Sequence, residues 1–202
     1  MIQIYHATNT RGIRPIWLCE ELGVDYSITR IDFSQAYRRK PEWRAMNPVG
    51  KVPVLEDGNL RMFESGAMVQ FILARYGRGR LQPAAQSDAY AHYLQWMWFA
   101  EATLSRPLGE IVNHRREFPG ELEIPAVVAE MGNRAGECLV AVGDAVVDKQ
   151  FICGDKFTAA DIMLGYGIHL AEMLVPGKIP DNLHPYWLRL KQRPGLQIAI
   201  NA

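Results

Sequence analysis

Three cysteines in 202 residues, at positions 19, 138 and 153, are too few and too widely spaced for a disulfide framework or a zinc cluster, which points to a reducing compartment. Excess charge is missing as well. The 22 Lys and Arg balance the 22 Asp and Glu, so no broad cationic surface recommends a nucleic-acid partner. No stretch reaches the ~18 consecutive apolar residues of a membrane span. The opening residues Met1-Ile-Gln-Ile-Tyr-His6 lack the basic-then-apolar pattern of a signal peptide. The expectation is a cytoplasmic protein with no membrane association. The five histidines show no metal-ligand spacing such as His-Glu-x-x-His, so no metal is expected. Gly77-x-Gly79 lacks the preceding strand and third glycine of a dinucleotide fingerprint. There is no internal repeat and no low-complexity segment.

What is present is an ordinary globular composition, 49% hydrophobic and 22% charged. A 22.9 kDa chain fits one domain or two small ones at ~150 residues each. At this length it buries roughly 70% of its unfolded surface, enough for a core without covalent staples. The first eighty residues change hydrophobic period repeatedly. Ile2 to Ala7 reads as a strand and Thr8 to Gly12 as a turn, and Ile13, Ile16, Trp17, Glu20 and Glu21 sit on a helical pattern that Gly23 can close. Tyr26 to Phe33 alternates as a second strand, and residues 34–46 form a polar loop with a short helix. Lys51 to Glu56 and Leu60 to Phe63 flank the hairpin turn Asp57-Gly58-Asn59, and Glu64 to Tyr76 is helical. The order β-α-β-α-β-β-α predicts an α/β unit with a mixed sheet.

After a Gly- and Pro-containing stretch the pattern is helical almost throughout. Ser87 to Phe118 is a long tract interrupted at Pro107, and Pro125 to Val147, Phe157 to Met173 and Pro185 to Lys191 follow. The domains expected are therefore 1–77, a linker over 78–86, and an all-α domain over 87–202. Thr158-Ala-Ala-Asp161 has the spacing of a capping box and Phe157 with Ile162 that of a hydrophobic staple, both structural.

Two stretches suggest chemistry. In Asn47-Pro-Val-Gly-Lys-Val-Pro-Val-Leu55, Pro53 lies within a strand-like run where it cannot donate a ladder bond. Either it is a trans edge-strand proline, or Val52–Pro53 is cis and turns the Val52 main chain toward an extended peptide-like ligand. Cis accounts for only ~5–6% of such bonds, so the residues alone favour trans. Glu64-Ser65 stands at a helix start, where free N–H groups attract a carboxylate. Ser65 could donate to that carboxylate and Glu64 accept from an ammonium, or Ser65 could be a plain N-cap.

Taken together, the strand–turn–helix with Arg14, then Asn47-Pro-x-Gly-Lys-Val-Pro53, Glu64-Ser65 and Phe157-Thr-Ala-Ala-Asp161 resemble the cytosolic glutathione transferases over essentially the whole chain. The serine-type, theta-like bacterial members are the nearest pattern. The resemblance implies a thioredoxin-like N-terminal domain, an α-helical C-terminal domain, a homodimer and a cis Pro53. It implies that Lys51, Val52, Pro53, Glu64 and Ser65 bind glutathione, with Lys51 or Lys40 meeting the glycyl carboxylate. Arg14 matches an arginine of the first helix, structural or a distant source of positive charge. The activating residue departs from the better-known Tyr, Ser or Cys. Ungapped alignment puts Thr10 on the serine, with Asn9 the alternative donor; Thr10 could instead be only the N-cap of the first helix. Tyr5, inside the strand, is a poorer candidate.

The implied activity is attack of glutathione thiolate on a small apolar electrophile, in keeping with a detoxification role. Glutathione-dependent isomerisation, dehalogenation or peroxide reduction, and a non-catalytic binding protein, are the alternatives. Disulfide oxidoreductase chemistry is disfavoured because residues 8–15 contain no cysteine and Cys19 sits inside the helix. The resemblance also implies that some of Tyr93, Trp96, Leu104 and Arg106 line the electrophile pocket, although most of this aromatic stretch should be core. His114-Arg-Arg116 reads as a solvated face.

Overall fold

A computed structural model describes all of residues 1–202. The elements begin with β1 (Ile2–His6), α1 (Ile13–Leu22), β2 (Tyr26–Arg30), α2 (Gln35–Arg38), α3 (Pro41–Met46), β3 (Val54–Asp57), β4 (Leu60–Phe63) and α4 (Ser65–Tyr76). Helices α5 (Asp88–Trp98), α6 (Ser105–Glu117), α7 (Pro125–Ala145), α8 (Ala159–Leu174), α9 (His184–Lys191) and α10 (Pro194–Ile200) follow. Two compact units result, Met1–Arg80 with Lys191–Ala202, and Leu81–Leu190.

In the first unit the strands lie in the order β2-β1-β3-β4. β2 runs parallel to β1, while β3 is antiparallel to both β1 and β4. The sheet is mixed, as the sequence pattern predicts. Alternation along β1 buries Ile2, Ile4 and His6 on one face. Helices α4 and α10 pack against α1, and Ile13, Ile16, Trp17, Leu18, Met68 and Ile72 are fully buried. Gly23 ends α1 in the left-handed conformation, φ 64°, which spares a Cβ its steric penalty.

Two strands are shorter than their alternation suggests. β2 stops at Arg30, and Ile31 and Phe33 instead pack on a small cluster of Ala7, Trp43, Val52 and Val54. β3 begins only at Val54: Pro53 has no N–H to give the ladder, which starts beyond it, and the Val52–Pro53 bond is cis. Helix α10 was not legible as an element of its own. It belongs with the first unit, so the helical stretch expected over 87–202 divides at Lys191. Arg193 grips both carboxylate oxygens of Glu21 on α1, and Trp17 Nε1 donates to the same Glu21 at 2.8 Å.

In the second unit, the tract expected over 87–118 starts at the N-cap Ser87, whose hydroxyl accepts from the Tyr90 amide at 3.2 Å. It widens into a π-helical turn over Phe99–Leu104 before continuing as α6. Pro107 has no N–H for the Thr103 carbonyl four residues earlier, so the α-pattern cannot run through. The Cys138 thiol on α7 donates to that carbonyl at 3.7 Å.

α8 is the central helix of this unit and is buried along most of its length. Its start is the expected capping box, with the Thr158 amide donating to Asp161 Oδ2 at 2.8 Å. Asp161 does more than cap. Its Oδ1 accepts from the Ile152 amide and the Tyr186 hydroxyl, both at 2.8 Å, and the Thr158 hydroxyl reaches Oδ2 at 3.1 Å. Burial still pushes its carboxyl above the ordinary range, the four donors offsetting only part of that cost. Replacing it by Ala would strand four buried donors. Asp161→Ala is therefore expected to cost about 3 kcal/mol or more of stability, against ~1 kcal/mol for Thr158→Ala, read from the denaturant midpoint of the helical signal.

Candidate functional site

The register of the sheet gathers the candidate residues at one end. The last row shared by β1, β3 and β4 is Tyr5–Val54–Phe63. Beyond it lie the loop after β1, the Val52–Pro53 segment before β3, and Glu64-Ser65 after β4. Because β1 and β4 both run antiparallel to β3, the helices that follow them, α1 and α4, begin at this same edge. The positive ends of both helix dipoles meet here and favour an anionic group. The first-turn N–H groups of α4 supplement this, whereas at α1 the Ile13 and Arg14 amides donate to the Thr10 and Arg11 carbonyls and Pro15 has no N–H.

Close packing forms the loop after β1. A Cβ on Gly12, the residue before α1, would collide with the buried His6 ring at Nδ1, so glycine lets the helix start lie against β1. Thr10 is not the helix N-cap. Its hydroxyl donates to the Ala7 carbonyl at 2.6 Å and lies 3.4 Å from His6 Nδ1. Asn9 is exposed and takes φ 59°. Tyr5 is occupied elsewhere, its hydroxyl donating to Glu56 at 2.7 Å. That bond, with burial second, raises the phenol above its usual range. Cys19 is sealed in the core and burial pushes its thiol up to about 12, which removes it as a nucleophile.

The segment before β3 is shaped by Asn47. Its buried side chain accepts from the Val49 amide at 3.1 Å and donates to the Lys51 carbonyl at 3.0 Å. Gly50 completes the turn at φ 64°, where a Cβ would meet the Arg38 carbonyl oxygen at 2.5 Å. This turn delivers Val52 past the end of the ladder. Lys51 is exposed, and Lys40 is exposed with Nζ 5.0 Å from the centre of the Tyr37 ring.

At α4, Glu64 occupies the N-cap position at φ 74°, exposed and making no capping bond of its own side chain. Asn9 and Glu64 are two of only four non-glycine residues with positive φ. Such strain persists where surrounding structure enforces it, commonly at functional sites. Ser65 is the first residue of the helix rather than its cap. It is 3% exposed, and its oxygen accepts from Arg14 Nη1 at 3.0 Å.

The structure therefore brings Thr10, Asn9, Val52, Pro53, Glu64 and Ser65 to one edge, with Lys51 beside Val52 in the chain. The residues expected around a second substrate differ in exposure. Tyr93 and Leu104 are buried, at 1% and 0% exposed. Trp96 is half-buried against Phe99, ring centres 5.1 Å apart, and Arg106 is exposed. Helical spacing could not separate the buried members of this stretch from the exposed ones. Sequence reasoning also passed over His6, which looked like one more alternating strand residue. The small, turn-forming Gly12 six residues later was the available signal.

Comparisons with known proteins bear on the fold and the family. Residues 2–74 match the family described as Glutathione S-transferase, N-terminal domain. Glutathione S-transferase 4 of Zea mays is 33% identical over 74% of this chain and 67% of its own length. A probable glutathione S-transferase, GSTF1, of Oryza sativa subsp. japonica is 30% identical over 97% of this chain and 94% of its own. Among solved structures, the theta class glutathione S-transferase of Xanthomonas axonopodis pv. citri, crystallised with glutathione bound, superposes with a TM-score of 0.85 at 28% identity, covering 100% of this chain and 97% of that one. A thioredoxin-like unit joined to a helical one defines the broad class. Within it, this chain belongs to the glutathione S-transferase family.

His6 yields a pH test. Burial, with the Arg30 charge second, lowers its pKa from 6.5 to about 4, and the Ala202 main chain opposes the shift. The folded protein keeps this imidazole neutral where the unfolded chain would protonate it. Its contribution is thus fully present above pH 6.5, declines as pH falls below that, and is lost by about pH 4. The loss attributable to this group is at most about 3 kcal/mol. Denaturant midpoints measured across that window should fall more steeply for the wild type than for His6→Asn.

Proposed function

We propose that the protein is a dimeric, cytoplasmic glutathione transferase that holds glutathione at the sheet edge as the thiolate and directs its sulfur at a small apolar electrophile. The observation that carries this reading is the meeting of three segments at two helix N-termini. Each offers what one part of the tripeptide needs. Val52, past the end of the ladder, has its main chain available for the cysteinyl residue. Ser65 and the free N–H groups of α4 suit the γ-glutamyl carboxylate, and Glu64 suits its ammonium. Lys51, or Lys40 across the loop, suits the glycyl carboxylate.

The sulfur then falls near the start of α1, where Thr10 and Asn9 stand. A free thiol has a pKa of ~8.5, and a donor combined with a helix N-terminus lowers it to ~7 or below. The thiolate attacks the electrophilic carbon. A sulfur–carbon bond forms, and the displaced electron pair leaves with the departing group or remains on the adduct until it is protonated. The protein forms no covalent intermediate; it contributes proximity and stabilised charge. The proposal of a homodimer is supported by apolar exposure on the edge strand β4, where Leu60 and Phe63 are 38% and 39% exposed.

Retention on immobilised glutathione together with conjugation of a generic aryl halide is the expected result. Retention without turnover of any electrophile would make the protein a binder, and absence of retention would overturn the reading.

The thiolate itself discriminates the two candidate donors. Thr10 reaches a sulfur only by releasing the Ala7 carbonyl. If it is the activator, Thr10→Val raises the bound thiol's pKa by about one unit or more. Asn9→Gly, which tolerates φ 59°, raises it less. Thiolate absorbance near the ultraviolet edge, titrated in the saturated enzyme, reads both; the opposite ranking assigns the role to Asn9.

A further inference from the structure

The Arg14–Ser65 contact joins residues 51 positions apart, and both are buried. Arg14 is 0% exposed, a costly position for a permanent cation. The direction of the hydrogen bond matters more than its existence. A guanidinium has donors and no acceptor, so at 3.0 Å from Nη1 the Ser65 oxygen can only accept. The hydroxyl proton is thereby excluded from the Arg14 side and must be offered elsewhere. Ser65 opens α4, beside the helix's own unpaired N–H groups. A hydroxyl at this position ordinarily competes for local acceptors or caps a helix. Here it does neither: Glu64 holds the cap position, and the serine oxygen is taken up by Arg14.

We propose that Arg14 is the positioning residue of the γ-glutamyl carboxylate subsite: by occupying the Ser65 oxygen it orients that hydroxyl as a donor to the ligand carboxylate. This rests on the glutathione reading above and assigns a task to a first-helix arginine that sequence reasoning left as structural or distant. The guanidinium does not touch the ligand in this role. It polarises the Ser65 O–H, making it a stronger donor, and it places a positive charge behind the helix terminus that receives the anion.

A structural arginine and a positioning one differ in what they do to the carboxylate alone. Binding of glutathione and of its analogue lacking only the γ-glutamyl α-carboxylate is measured by calorimetry in the full-length wild type, Ser65→Ala, Arg14→Met and Arg14→Lys. The wild type should favour glutathione over the analogue by about ten- to a hundredfold, as expected for a hydrogen bond to a charged group. Ser65→Ala should reduce that preference sharply, and Arg14→Met should reduce it to a similar extent, while analogue affinity changes by less than about threefold. Arg14→Lys, which still donates, should keep part of the preference. It also keeps the test open should Arg14→Met fail to fold.

Equal weakening of both ligands in the Arg14 variants would make the residue structural and overturn the proposal. So would a Ser65→Ala protein in which the Arg14 substitution still removes the remaining preference in full. If the wild type bound neither ligand, the glutathione reading itself would fall, an outcome distinct from both.

Discussion

Everything at the candidate site depends on the direction in which four short strands run. With β3 antiparallel to both of its neighbours, β1 and β4 finish at the same edge. The helices after them must therefore start there. Reverse either pairing and Glu64-Ser65 would lie a full strand length, ~15 Å, from the loop after β1. The two helix starts supply positive potential without any net charge on the protein, which agrees with a composition that is neutral overall.

That geometry is held in place by contacts that are individually plain. Gly12 lets α1 lie against His6, Asn47 ties the turn that presents Val52, and Arg14 links the opening turns of α1 and α4. None of these groups requires exposure to do its work, and Asn47, His6 and Arg14 are all buried. The residues offered to solvent, Asn9 and Glu64, have the strained backbone instead. Rigid buried polar groups thus hold two exposed ones in conformations they would not adopt alone.

Much of this was legible in the amino-acid sequence because it is local. Asp57-Gly58 marks a hairpin, Thr158 and Asp161 mark a helix start, and Glu64-Ser65 marks another; each involves neighbours in the chain. The residues that were not legible answer to distant partners. Ile31 and Phe33 alternate like a strand but pack beneath a loop. Tyr93 and Leu104 share helical spacing with exposed neighbours, and only the arrangement of α5 to α9 decides which are buried. The added reach of Asp161 to Ile152 and Tyr186 extends a local cap into a junction that no short motif encodes. Arg14 was visible as a residue, but its partner lies 51 positions away.

The return of residues 191–202 to the first unit changes what counts as a module. Measured along the chain, the matched family segment ends at residue 74, yet the body it describes is completed by α10 and by the grip of Arg193 on Glu21. Topologically the helical unit is an insert between two pieces of one fold, not an appendage fused to its end. Exchange of helical units between relatives would therefore need two crossovers, one on each side of residues 81–190. A single junction near residue 80 would bring in a foreign α10 and leave α1 to pack against a helix that had not been shaped with it.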